Sequence, residues 1–246
     1  MNEIKTKGIV VSEMPIGEND KRIVIITKDK GKITVFARGA RKTNSMFLAG
    51  SQLFCYGEYI LYKGKSSSYN VKQIQIIESF HGIRKDIDLL AYGLYVLEFA
   101  TFITQENVPN KPLMKLMLKT LQILVRKVID YDLTMRIFEL KAMSYIGYTP
   151  NVINCVNCGK QYDKYSFSIK LGGIVCKNCS DEQKYVIRIN NSTIYTMRYI
   201  LATSVEKLFS FQVNETIKYE LTLIMKKYIE YHLNHKFKSL DFLLKL

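Results

Sequence analysis

Cys155-Val-Asn-Cys158 and Cys176-Lys-Asn-Cys179, two CxxC pairs with 17 residues between them, decide how the rest of the chain is read. Each pair is a tight turn that brings two thiolates to one place, and the spacing is that of a zinc ribbon. The span from Gly159 to Val175 is long enough to run out and back as a short hairpin. Gly159 suits the turn after the first pair and Gly172-Gly173 the return. The second pair then completes a four-sulfur tetrahedron with no position left for water or substrate. The expected metal is therefore one structural Zn2+ held by Cys155, Cys158, Cys176 and Cys179. Two disulfides or four free thiols are the alternatives. They fit less well, because four of only five cysteines fall on the ribbon spacing and nothing else marks a secreted chain. Cys55, between Phe54 and Tyr56, reads as a buried strand residue.

Upstream of the ribbon the pattern changes twice. Gly8 to Met14, Lys21 to Thr27, Lys32 to Ala37, Gln52 to Lys63 and Tyr69 to Ser79 are rich in Ile, Val, Tyr and Phe and read as five strands. The turns between them are Pro15 to Asp20, Lys28 to Gly31 and Gly64 to Ser68, with one long connection after Ala37. Five strands without a helix to cover a flat sheet predict closure into a small barrel. An OB fold is the commonest five-stranded choice, and an SH3-like barrel is the alternative. After Phe80 the period becomes helical: Asp86 to Val108, Leu113 to Val128, a third helix capped by Asp132 or Thr134, Asn191 to Ala202, and Glu215 to Leu233. The expected fold is α+β: an OB-fold barrel at 1–80, a helical domain at 81–149 and 183–246, and the ribbon inserted at 150–182.

The formal net charge of +14 over 246 residues points to a polyanionic partner, nucleic acid or an acidic membrane surface. The two ends hold most of it: residues 1–80 carry 13 basic against 7 acidic groups, and 183–246 carry 10 against 5. No apolar run is long enough to span a bilayer, so no membrane role and a cytoplasmic place are expected. In the long connection, Arg38, Arg41 and Lys42 stand with Gly39 and Thr43-Asn-Ser45, and contact with DNA phosphates is the use such a cluster suits. Glu18 and Asp20 resemble a hydrolase pair but sit in turn chemistry with Gly17 and Asn19. Met114, Met117 and Met135 read as core filler, and His232 with His235 as a solvated basic surface beside Lys226, Lys227 and Lys236. There is no phosphate-binding loop, dinucleotide fingerprint or nucleophile beside a base, so the chain is not expected to be an enzyme. A module bound to RNA or the ribosome through its zinc ribbon is the other binding reading.

The order of these parts resembles the bacterial recombination mediator family RecO. The likeness rests on Gly8-Ile-Val-Val-Ser12 with Gly17-Glu-Asn-Asp20, on Lys28-Asp-Lys-Gly-Lys32 leading into Val35-Phe-Ala-Arg-Gly-Ala-Arg-Lys42, on Gly147-Tyr-Thr-Pro150 before the first CxxC, and on Lys238-Ser-Leu-Asp-Phe-Leu243. It spans almost the whole chain. It implies a non-catalytic DNA repair protein of the nucleoid that binds single- and double-stranded DNA, anneals complementary strands, and works with RecR and single-stranded-DNA-binding protein. Arg38, Arg41 and Lys42 stand in the matching loop. For the acidic tail of single-stranded-DNA-binding protein, the resemblance directs attention to Arg126, Lys127 and Arg136, cations among the helices after Leu113.

Overall fold

A computed structural model describes residues 3–64, 68–181 and 186–243. The predicted turn at Gly64–Ser68 is described only at its two ends, and the expected ribbon boundary at 182/183 lies outside the described residues. By contacts the chain forms two compact units, Met1–Val125 with Ser239–Leu246, and Arg126–Lys238. This division follows packing, whereas the boundaries at 80 and 149 follow element type.

The first unit opens with β1 (Glu3–Ile16), β2 (Asp20–Thr27), β3 (Gly31–Ala37), β4 (Tyr56–Lys63) and β5 (Tyr69–Glu78). β1, β2 and β3 form an antiparallel meander, β4 pairs with both β1 and β5, and a short parallel contact of Val35 with Tyr69 and Phe36 with Asn70 closes the barrel. That order, β1-β2-β3-β5-β4, is the OB-fold topology. Alternation drives it: β3 reads buried at every second residue from Gly31 to Ala37, so Ile33, Val35 and Ala37 fill the interior while Thr34 and Phe36 face out.

β4 begins four residues later than the pattern predicts. Phe54 adopts a left-handed backbone, φ 68°, which breaks the strand and turns its ring into a buried place. That place is made by α1 (Ile87–Ile103), where a Cβ on Gly93 would lie 3.0 Å from the Phe54 ring and 2.8 Å from Ile83. α1 also stops earlier than expected. Residues after Thr104 leave the helix and lie along β3, with Asn107 N–H donating to the Lys32 carbonyl and Lys32 Nζ donating to the Thr101 carbonyl. Val108 precedes Pro109, which disfavours helical backbone there. α2 (Lys111–Arg126) follows, its start capped by Asn110 Oδ1.

In the second unit α3 (Tyr131–Tyr145) is capped by Asp130, whose Oδ1 accepts from Leu133 N–H, rather than by Asp132 or Thr134. The ribbon comprises β6 (Tyr165–Ser168), β7 (Gly173–Cys176), a single helical turn α4 (Lys177–Ser180) and β8 (Val186–Arg188), with sheet order β7-β6-β8. α5 (Asn191–Ala202) and α6 (Glu215–Leu233) complete the unit and pack on α3. The insertion therefore lies between helices, as expected. Two buried polar side chains join those helices. Glu220 of α6 accepts from Asn190 N–H and from Thr193 Oγ, capping the start of α5. Lys141 of α3 donates to the carbonyls of Ile200, Leu201 and Thr203, capping its end, and burial pushes its pKa down.

Candidate metal centre and nucleic-acid interface

The two CxxC turns meet. Sulfur atoms of Cys155, Cys158, Cys176 and Cys179 all lie within 4.8 Å of one another. Four sulfurs at about 2.3 Å from a tetrahedral ion stand about 3.8 Å apart, so the cluster fits one ion after small movements. Backbone pairing sets this geometry. Val156 N–H donates to the Ile174 carbonyl, and Asn151 donates to Gly172 and accepts from Ile174, at 2.9 Å each. Gly159 takes φ +73° at the turn after the first pair, and Gly172 takes φ +66° at the hairpin return. Gly173 is required differently: a Cβ there would lie 2.4 Å from the Asn151 carbonyl oxygen.

The electrostatics suit a soft cation. Burial pushes the Cys155 thiol up, but backbone N–H groups of Cys158, Cys176 and Asn157 outweigh it and bring it down to about 6. At Cys179 a hydrogen bond with Asn157 pulls down, yet sharing with Cys176, burial, and sharing with Cys155 and Cys158 push the thiol up to about 12. Thiols that share protons this closely give them up to a divalent ion of thiolate preference, and the donor set fits one.

The barrel offers a different surface. After Ala37 the chain does not wander but folds into successive turns. Gly39 N–H donates to Asp20 Oδ1 at 2.7 Å, Arg41 N–H donates to the Asn19 carbonyl, and the Arg41 guanidinium donates to the Gly17 carbonyl. Glu18 and Asp20 thus belong to a structural turn, with Asp20 holding the loop. Arg38, Arg41 and Lys42 are all exposed on it. Further along, Phe47 packs on the barrel core and Tyr59 Oη donates to the Gly50 carbonyl, so the rest of the loop plugs the barrel. The cations are therefore presented from a fixed frame.

Strand register adds residues that sequence reading misses. Arg22 stands opposite Met14 on β1 and opposite Phe36 on β3, and directly opposed residues share a face. Arg22 and Met14 are exposed and Phe36 is half-buried, so an arginine, a thioether and an aromatic ring form a row on the outer barrel, with Arg38 two residues beyond Phe36. The signal lies in the alternation of Lys21-Arg-Ile-Val-Ile-Ile-Thr27, where Ile23 and Ile25 point inward and Arg22 must point out.

The helical cations fare unequally. Arg126 and Lys127 are exposed at the end of α2, with Lys127 Nζ 6.0 Å from the Tyr131 ring centre. Arg136 is buried in α3, its guanidinium 3.0 Å from the Glu139 carboxylate, where it cannot edge an exposed groove. His232 is half-buried among Tyr148, Tyr228 and Tyr231 and 3.3 Å from the Ile169 carbonyl, so it packs the ribbon on α6 rather than lying on a solvated surface.

Comparison with known proteins matches both parts of the chain to one family. The family model described as "Recombination protein O N terminal" matches residues 1–80, and "Recombination protein O C terminal" matches residues 84–241. The chain belongs to the RecO family. It is 36% identical over 244 residues to the DNA repair protein RecO of Acetivibrio thermocellus, covering 99% of this chain and 97% of that one. It is 38% identical over 240 residues to that of Alkaliphilus metalliredigens, 97% of each, and 32% identical over 240 residues to that of Bacillus pumilus, 98% of this chain and 93% of that one. Membership makes it a DNA repair protein, and no described helix is long and apolar enough to cross a membrane.

Proposed function

We propose that this protein is a non-catalytic recombination mediator. It binds single- and double-stranded DNA, anneals complementary single strands, and acts with RecR and single-stranded-DNA-binding protein at the nucleoid. The observation that carries this reading is the pinned barrel loop. Arg38, Arg41 and Lys42 are held exposed on a frame anchored by Asp20, with Arg22 and Phe36 on the adjoining outer face. Cations carried on an ordered loop neutralise phosphates without the backbone first losing conformational freedom, and an aromatic ring among them accepts a base. Bringing two anionic strands together requires this screening. The four-cysteine centre holds one Zn2+, which keeps the ribbon folded and takes no part in chemistry. Arg126 and Lys127 are the exposed candidates for capturing the acidic tail of single-stranded-DNA-binding protein.

Strand annealing tests the reading directly. Complementary oligonucleotides coated with single-stranded-DNA-binding protein should anneal faster with this protein than without it. No acceleration, on bare or coated strands, would contradict it.

A further inference from the structure

The unit Arg126–Lys238 carries a cleft that borders the candidate metal centre at Tyr162, whose hydroxyl lies 3.9 Å from Cys158 Sγ and whose ring meets Tyr165 edge to face. Three cavities, of about 440, 850 and 650 Å³, open around the first turns of α5, and Asn191 lines all of them. The first is flanked by Tyr162 and Tyr195, which are 41% and 70% exposed. The second carries Lys164, Lys177 and Arg188. The third continues along α5 past Tyr195 to Tyr199, whose ring meets Phe211 edge to face at 5.0 Å.

These features favour one class of ligand. Tyr195 makes no hydrogen bond or ring contact among the described residues, and Asn191, Tyr195 and Tyr199 follow one another at helical spacing on one face of α5. Tyr195 and Tyr199 are about 6 Å apart along the helix axis, comparable with one nucleotide step of an extended strand. Aromatic faces in a row beside cations make the arrangement that holds single strands, because every base has a face to stack and every step has a phosphate. Asp163 and Asp181 also line the first and second cavities, against four cations there, Lys164, Lys177, Arg188 and Arg198. Arg198 is partly committed, donating to the carbonyls of Val152 and Ile153. The unit as a whole carries 17 basic against 10 acidic side chains, so half of the chain's +14 lies outside the barrel's unit.

We propose that this cleft is a second strand-binding site, in which bases of single-stranded nucleic acid stack on Tyr162, Tyr195 and Tyr199 while Lys164, Lys177 and Arg188 meet the phosphates. It rests on the reading of the chain as a strand-binding protein and adds to it: one chain then has two surfaces for single strands, one on each unit. An acidic peptide would use the cations and leave the tyrosine faces idle. A duplex offers no free bases to them.

The chain contains no tryptophan, so Tyr195→Trp installs a single reporter in the full-length protein. Oligo-dT and oligo-rU are titrated in parallel, and the two arms tell DNA from RNA. Stacking should quench the emission with either or both, whereas duplex DNA, inorganic polyphosphate and an acidic peptide should not. With Arg38, Arg41 and Lys42 already changed to Ala, Tyr195→Ala should weaken the remaining single-strand binding by between about 5- and 150-fold, and Tyr195→Phe should retain it. Quenching should persist when Arg38, Arg41 and Lys42 are all changed to Ala. Tight strand binding by anisotropy with unchanged tryptophan emission, together with no loss of affinity when Tyr195→Ala is added to the triple variant, would overturn the cleft and leave the barrel reading standing. Quenching by the acidic peptide or by polyphosphate alone would overturn it too. Absence of any strand binding by the wild type would overturn both readings.

Discussion

The barrel and the ribbon are both small sheets that must bury a face, and they do so by different means. The barrel closes on itself around a continuous set of buried side chains that includes Val10, Ile23, Ile25, Val35, Tyr59 and Leu61. The buried cluster at the metal end of the ribbon is Val175 with Cys155 and Cys176, two of the candidate ligands. Its other support is α6, where the Phe167 and Tyr228 rings meet edge to face at 5.8 Å and the Tyr228 hydroxyl reaches the Tyr148 carbonyl. A closed barrel draws its stability from apolar burial, but a sheet of three- and four-residue strands needs an external tie. In the proposed reading a metal held by the four cysteines is that tie, so the two regions should respond oppositely to its removal.

The largest effect should follow from removing the ion. Structural zinc contributes about 10–16 kcal/mol of binding free energy in the best-studied small domains, so chelation or Cys176→Ser should open the ribbon outright. Hydrogen exchange should then show loss of protection at 155–176 while β1 to β5 stay protected. Metal analysis should return one zinc per chain before chelation and none after. Exchange spreading into the barrel strands would break the comparison, because it would show that the barrel also depends on the tie.

A smaller effect should separate the regions at two glycines. An alanine Cβ at Gly31, where φ is +61°, would lie 2.3 Å from the Val108 carbonyl oxygen, and one at Gly173 would lie 2.4 Å from that of Asn151. Backbone atoms cannot step aside as side-chain tips do, so Gly31→Ala and Gly173→Ala should each cost about 1–3 kcal/mol by denaturant unfolding. Only Gly173→Ala should also weaken metal affinity, since its pairing with Asn151 positions the first CxxC. Equal metal affinity in the two variants would show that the hairpin does not set the sulfur geometry.

The meeting of the four cysteines was legible in the sequence, because such a cluster is written in local spacing, but the third ribbon strand β8, which lies beyond the expected boundary and pairs with β6, was not. α5 and α6 were likewise legible at their ends; Asn214 Oδ1 caps α6 by accepting from Ile217 N–H, whereas the Asn190 side chain before α5 donates to Glu220 instead. What escaped depends on contacts distant in sequence. Nothing local in Gln52-Leu-Phe-Cys55 says that Phe54 will leave the strand to meet Gly93, and nothing in Gln105-Glu-Asn-Val108 says that it will lie on β3. Arg136 and Lys141 look like surface cations by composition, yet one is paired with Glu139 and the other spent on three carbonyls. In the barrel, the loop cations were visible as a cluster, but Arg22 and Phe36 become neighbours only through register. Local chemistry announces a site; partners across strands and helices do not.

The smallest effect concerns the seat of the ribbon on α6. Burial holds the His232 ring below its ordinary 6.5, although its hydrogen bond with the Ile169 carbonyl opposes this. The unfolded chain therefore binds the extra proton first as pH falls. The packing of the neutral ring is fully kept above about pH 6.5 and is lost as pH drops from there through the lower folded value. Urea midpoints at pH 7.5 and 5.5 should differ more for the wild type than for His232→Phe, and this difference between differences removes the parallel effect of thiol protonation. An unchanged difference would mean that the ring is not the group that senses acid.

The claim that the pinned loop holds phosphates is tested most directly by the salt dependence of single-strand affinity. Each phosphate neutralised on a single strand adds about 0.7 to the slope of log affinity against log salt. Changing Arg38, Arg41 and Lys42 together to Ala should therefore reduce that slope by about two units, with the barrel still folded by circular dichroism and annealing slowed in parallel. A triple variant that keeps the wild-type affinity and slope would contradict the account and place the strand on other cations, those of the cleft at Lys164, Lys177 and Arg188 or those near Lys226, Lys227 and Lys236.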